Sequence, residues 1–161
     1  MVSEVSARKA QLRREQHAAK RQDDGGPLAW RGWFDGSAHP NPGRLGIGAL
    51  LLGPHGERIE ISEPAGDGDS SDAEYAALTA LLQAALLVKP AQLLLHGDSQ
   101  VVIQDVLGTA VVKGLAMERA RVLALMAQLP QVSLRWIPRH RNGETDRLSQ
   151  RAMIAATGRS D

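Results

Sequence analysis

The sequence predicts an α/β domain built on one five-stranded mixed sheet: three antiparallel strands, then helix-separated parallel strands, with helices on both faces. Three observations carry this. Residues 28–62 hold three short strand-like segments joined by tight turns, and links that short join neighbours antiparallel. Residues 71–88 are almost uniformly Ala and Leu, the composition of a helix buried on most of its surface. Leu93-Leu94-Leu95 is wholly apolar, as in a strand covered on both faces, and lies between helical stretches.

In chain order, Leu28 to Phe34 is the first strand and ends at Asp35, and Asn41-Pro42-Gly43 is a turn. Gly46 to Leu52 is the second strand, Pro54-His55-Gly56 a tight connection and Arg58 to Ser62 the third strand. Gly66-Asp67-Gly68-Asp69 reads as a loop before the helix that runs from Ser71 to about Val88, where Lys89-Pro90 stops it. The fourth strand opens into His96-Gly97-Asp98-Ser99. A short helix follows to Leu107, then a longer one from Leu115 to Leu129, closed by Pro130. Val132 to Ile137 alternates as the last strand. Beyond Pro138 to Asn142 a final helix spans Glu144 to Ala156, with Gly158 as its stop.

These elements make residues 26–158 one domain, with 159–161 a tail. Residues 1–25 differ: six Lys and Arg and four acids leave no apolar stripe for docking, so this stretch reads as a solvated, flexible arm. Aromatic residues are only 3% of the chain, so its core is built from Leu, Ala, Val and Ile. The lack of cysteine excludes disulfides, thiolate metal sites and a Cys nucleophile, and fits a reducing cytoplasm. No run is long and apolar enough to span a bilayer, which predicts a cytoplasmic protein with no membrane partner; nothing points to protein partners. A net charge of +1 is too balanced to announce a nucleic-acid ligand. Its distribution says more, since Arg135, Arg139, His140, Arg141, Arg147 and Arg151 crowd one segment against only Glu144 and Asp146.

Asp35 comes at the end of the first strand, Asp98 at the end of the fourth, and Asp146 lies in the first turn of the last helix. Adjacent first and fourth strands would carry Asp35 and Asp98 out of the same sheet end, where α/β sheets bind ligands. Each acid also has a structural reading. A strand-end Asp forms turns, a first-turn Asp offsets the helix dipole, and Ser71-Asp72-Ala73-Glu74 matches a capping box. Convergence changes the weighing. Unpaired carboxylates resist burial together, so such a cluster calls for cations, and an all-oxygen ligand set selects hard ones, Mg²⁺ or Mn²⁺.

Phe34-Asp35-Gly36-Ser37-Ala38-His39-Pro40-Asn41-Pro42-Gly43 followed by Gly46-Ile47-Gly48 resembles the opening of type 1 ribonuclease H. Ala73-Glu74-Tyr75-Ala76-Ala77, His96-Gly97-Asp98-Ser99-Gln100 and Trp136-Ile137-Pro138-Arg139-His140-Arg141-Asn142-Gly143-Glu144-Thr145-Asp146 are similar to its later blocks, in the same order. The resemblance covers residues 28–156. It implies the ribonuclease H-like fold and a metal-dependent endonuclease that cuts the RNA strand of RNA–DNA hybrids, leaving 5′-phosphate and 3′-hydroxyl ends. It also implies Asp35, Glu74, Asp98 and Asp146 as ligands of two Mg²⁺ ions, with Mn²⁺ as a substitute.

By the same resemblance Gly36, Ser37, Asn41, Ser71, Gln100, Arg139 and Arg141 are substrate contacts, although Asn41 is equally a turn residue. His140 stands for the family's mobile catalytic histidine or, amid arginines, for a phosphate contact. Three departures qualify the match. Ser70-Ser71-Asp72 replaces the usual Asn-Asn-Arg, so Ser71 serves mainly as a cap; Gly108 to Gly114 carries only Lys113 where members have a basic protrusion; and the loop from His140 to Asp146 is short. A 3′–5′ exonuclease of the same superfamily is disfavoured because Ser37 stands where its second strand acid would be. A non-catalytic binding module is disfavoured because all four acids are present.

Overall fold

The computed structural model describes residues 25–157, so the expected arm (but for Gly25), the Gly158 stop and the tail lie outside the described residues. The elements are β1 (Trp30–His39), β2 (Gly43–Leu52), β3 (Arg58–Gly68), α1 (Ser70–Val88), β4 (Leu93–Gly97), α2 (Gln100–Leu107), α3 (Ala116–Met126), β5 (Val132–Trp136), a 3₁₀ turn (Arg139–Arg141) and α4 (Gly143–Thr157). Strand order across the sheet is β3-β2-β1-β4-β5. β1, β2 and β3 pair antiparallel, β4 runs parallel to β1 and β5 parallel to β4, as the sequence predicts.

Two boundaries differ from expectation. β1 does not end at Asp35 but continues to His39, paired residue for residue with β2 as far as His39↔Arg44. β3 absorbs the expected loop, with Gly43↔Gly68 and Arg44↔Asp67 pairing beyond a register shift between Arg44 and Gly46. An edge strand tolerates Pro64, Gly66 and Gly68 because one of its sides needs no ladder bonds. Such a segment shows no apolar alternation to announce it.

The apolar core lies between the sheet and α1, α2 and α3. Phe34, Ala49 and Leu51 of the sheet meet Leu78, Leu81, Leu82 and Ala85 of α1, with Leu93 and Leu95 of β4, Val102 and Val106 of α2 and Val122 of α3 completing it. Each buried Leu, Val or Phe contributes on the order of 2 kcal/mol. α4 packs on the opposite face against β1, β2 and β3, and its buried side chains include Thr145 and Ser149 as well as Leu148, Ala152 and Met153.

Glycines set how closely both helices approach β1 and β2. A Cβ at Gly36 would lie 2.2 Å from the Ala73 carbonyl carbon and 2.5 Å from the Glu74 nitrogen, so the first turn of α1 rests directly on β1. On the other face a Cβ at Gly48, the β2 partner of Asp35, would lie 2.3 Å from the Thr145 carbonyl oxygen. A buried pair adds a tether: the Tyr75 hydroxyl donates to Asp105 Oδ2, and Asp105 Oδ1 accepts the Val112 amide at 2.7 Å. It joins α1, α2 and the connection where the sequence lacks a basic protrusion. Burial, and then the Asp105 carboxylate, push the Tyr75 phenol above its usual range, so it stays a donor.

Substituting Gly36→Ala should destabilise the fold by about 3 kcal/mol, since the new methyl meets backbone rather than a movable side chain. A urea denaturation midpoint unchanged from the parent would show that α1 does not depend on this contact.

Candidate active site

β1 and β4 run parallel with Phe34 opposite Gly97, so Asp35 and Asp98 each lie one residue beyond that last pair. Glu74 is the fifth residue of α1, laid over Gly36, while Asp146 sits in the first turn of α4. Asp35, Glu74 and Asp98 each offer an oxygen within 4.8 Å of the others. Asp146 lines the same cleft, a cavity of about 390 Å³ whose walls also include Gly36, Ser71 and Arg139.

The helix cap is not where the Ser-x-x-Glu pattern puts it. Asp69 is the N-cap; its Oδ1 accepts the Asp72 amide at 2.9 Å, and Asp72 Oδ2 accepts the Asp69 amide at 2.9 Å. A complete capping box therefore starts two residues earlier, at the point where the extended β3 hands over to α1. This corrects the readings of Ser71 as cap and Glu74 as its partner, and leaves Glu74 free to turn inward. Its Oε2 is buried with no hydrogen-bond partner.

Burial governs the electrostatics. Asp35 is pushed up to about 7, chiefly by desolvation and further by the charges of Asp98 and Asp146, against a lowering hydrogen bond with Glu74. Glu74 is raised well above the usual carboxylate range, first by burial and then by Asp35. The neighbouring carboxylate charges add to the cost of burying anions there, and the lowering hydrogen bonds do not outweigh it. A buried, partnerless carboxylate oxygen facing other carboxylates fits a hard divalent cation.

Neutral donors surround the acids. Ser149 Oγ donates to Asp35 Oδ2 at 3.3 Å and lies 2.8 Å from Ser37 Oγ, to which Gln150 Nε2 also donates at 3.2 Å. Ser37 is thus buried in a polar packing network. Asn142 Nδ2 donates to Asp98 Oδ2 at 3.0 Å, and Trp136 Nε1 donates to the Asp98 carbonyl at 3.0 Å. Of these, Gln150 was readable, being one helical turn beyond Asp146 on the same face; Asn142 looked like any turn residue before a helix.

Other expected contacts fall outside the acid cleft. Asn41 is tied to Ser70: its Oδ1 accepts the Ser70 amide at 3.2 Å and its Nδ2 donates to Ser70 Oγ at 3.4 Å. Gln100 and His140 are exposed and are not among the cleft walls. Arg141 lines a separate cavity of about 220 Å³ with Trp33 and Thr145. Conversely His39, beyond the point where β1 was expected to end, lines the acid cleft. His96 is buried, stacks on Trp33 at 5.1 Å and contacts the Gly32 carbonyl at 3.0 Å; burial lowers its pKa, which suits a neutral packing role.

The family model described as reverse transcriptase-like matches residues 33–152. Ribonuclease HI of Halobacterium salinarum is 32% identical over 139 residues, covering 84% of this chain and 69% of that protein. Its ribonuclease H1 crystal structure superposes with a TM-score of 0.75 at 29% identity, covering 79% of this chain and 98% of that one. The bifunctional protein Rv2228c of Mycobacterium tuberculosis is 32% identical over 126 residues, 76% of this chain and 35% of its own length. This chain therefore spans about a third of that relative. LC11-RNase H1, solved in complex with an RNA/DNA hybrid, superposes with a TM-score of 0.73 at 26% identity, covering 80% of this chain and 99% of that one.

The raised Asp35 pKa makes stability pH-dependent when no metal is bound. An acid that titrates near 7 when folded but near 3.9 when unfolded leaves the folded state holding more protons in between. The Asp35 contribution should therefore be lost progressively as pH rises from about 4 to about 7, and the raised Glu74 carboxyl acts in the same direction. In EDTA at pH 8, Asp35→Asn should melt higher than the parent; a lower or equal melting temperature would remove the repulsion inferred here.

Proposed function

Since this chain belongs to the type 1 ribonuclease H family, we propose that it is an endonuclease that hydrolyses the RNA strand of RNA–DNA hybrids, leaving 5′-phosphate and 3′-hydroxyl ends. The observation that carries the reading is the convergence of Asp35, Glu74 and Asp98 within 4.8 Å around a partnerless buried oxygen of Glu74. Asp35, Glu74, Asp98 and Asp146 would hold two Mg²⁺ ions, with Mn²⁺ as a substitute. When bound, the ions supply a water activated for attack on phosphorus and a counter-charge for the leaving 3′ oxygen.

The chain's own residues do the rest. Asp35 and Glu74 shed the protons that burial favours when cations offset their charge. Gly36 and Ser71 wall the cleft without bulk, which suits approach of a nucleic-acid backbone. Arg139 on the cleft wall supplies a fixed positive charge for a phosphate, and His140 beside it, on the exposed turn, is a contact further along the strand. Recognition of RNA would rest on its 2′-hydroxyls and helix shape rather than on base sequence. Catalysis is assigned to residues 26–158 and an auxiliary part to the charged arm 1–25. The absence of cysteine suits work in a reducing cytoplasm.

A labelled panel of RNA–DNA hybrid, duplex RNA, duplex DNA and single strands tests the assignment. The hybrid should be cut internally in its RNA strand with Mg²⁺ or Mn²⁺ and not with EDTA, and Asp98→Asn should abolish cutting while keeping the fold. Trimming from a 3′ end, or equal cutting of DNA, would reject it. A finer comparison separates the basic residues of the turn. Arg139→Ala should weaken hybrid binding and lower the salt slope of log K by about one unit. His140→Ala should slow single-turnover cleavage less than tenfold; a pH-dependent loss beyond that would give the histidine a proton-transfer role.

A further inference from the structure

We propose that Asn142 is a positioning residue: it aims the Asp98 carboxylate and couples it to the helix that carries Asp146. This rests on the metal-binding reading above. Asn142 directly precedes α4, and its carbonyl accepts the Asp146 amide at 3.1 Å, the four-residue bond that opens the helix. A residue in that position ordinarily turns its side chain back to cap the free amides of the helix. Here the side chain bridges the helix to the strand ends instead. Nδ2 donates to the Phe34 carbonyl at 2.9 Å and to Asp98 Oδ2 at 3.0 Å, while Oδ1 accepts the Thr145 hydroxyl at 2.6 Å.

The chemistry permits only this orientation of the amide. Phe34 O and the Asp98 carboxylate are acceptors only, so nitrogen must face them, and the Thr145 hydroxyl, which can donate, then meets the oxygen. Asn142 is only 2% exposed, and its backbone amide is also taken, by the Arg139 carbonyl at 2.9 Å. Every polar group of this residue is therefore committed, across four segments: the carbonyl just before Asp35 in β1, Asp98 after β4, the 3₁₀ turn and α4.

The consequence concerns Asp98. One of its oxygens is held by a neutral N–H, which leaves the other as the ligand atom and fixes the plane of the carboxylate. A Lys or Arg in this place would compete with a cation, and an acid would add to the repulsion already present. Because one side chain reaches both Phe34 and Asp98, the spacing of the acid-bearing strand ends is also set from α4. Supports of this kind that orient a ligand typically cost ten- to a hundredfold in metal affinity when removed.

Asn142→Ser separates this role from helix initiation, because serine caps a helix comparably but is too short to reach Asp98. Mn²⁺ binding to the full chain, measured by calorimetry without nucleic acid, should weaken about tenfold, and the metal-induced rise in melting temperature should shrink. Cleavage at low Mn²⁺ should fall and recover in excess metal. Thr145→Val, which keeps the amide but frees its oxygen, should give a smaller shift in the same direction and serves if the serine variant does not fold. Both variants folded by circular dichroism and binding Mn²⁺ within twofold of the parent would overturn the proposal. A parent chain that takes up no Mn²⁺ would instead defeat the metal reading and this inference with it.

Discussion

Asp35 and Glu74 lie against each other with about a twentieth of each exposed, and the charged forms of both are disfavoured by that burial. Much of the surrounding structure follows from this constraint. Two carboxylates reach such a place only if backbone elements come unusually close, because each side chain is short. Gly36 lets α1 rest on β1 on one face, and Gly48 lets α4 rest on β2 on the other. The acids therefore meet where both faces of the sheet have been stripped of side-chain bulk. The unfavourable electrostatics are borne by the apolar contacts of α1, whose Leu78, Leu81 and Leu82 are completely buried.

The helix start illustrates how local rules are rearranged around this site. A capping box is present, but it is made by Asp69 and Asp72, acids that stay near solvent and serve the helix alone. Glu74 is thereby released from the duty that its position in Ser-x-x-Glu suggests. At α4 the same displacement occurs in another form, since Asn142 spends its side chain on the site while its carbonyl starts the helix. Both helices that deliver an acid depart at their first turn from the arrangement a sequence rule would assign.

Element order and sheet topology were legible in the sequence because each rests on a local signal, whereas the acids stood out only as a set, of which Asp35, Glu74 and Asp98 do converge. Turns between β1, β2 and β3 are short, Leu93-Leu94-Leu95 is uninterrupted, and the acids follow strands or open a helix. Less legible were features set by tertiary context. The extension of β3 through Gly66 and Gly68 depends on the ladder that β2 offers, which residues so poor in strand preference do not advertise. The box at Asp69 depended on where β3 hands over. Asn142 and Ser149 give no sign of their partners, Asp98 and Asp35, more than forty residues away in each case. His140 is exposed on the 3₁₀ turn while its neighbour Arg139 lines the cleft, and linear order does not tell which side chain of such a turn faces the site.

The two faces of the sheet are also cohesive in different ways. Against α1 the contact is a continuous aliphatic layer; against α4 much of it is a web of hydroxyl and amide groups, Ser37, Asn142, Thr145 and Ser149, hydrogen-bonded to one another and to the acids. Polar contacts of that kind lose their value as soon as water enters, whereas the aliphatic layer resists until the fold opens as a whole. α4 carries Asp146 and Ser149 to the acids, with Asn142 at its start, so the side of the sheet that completes the site is the side held largely by directional polar contacts.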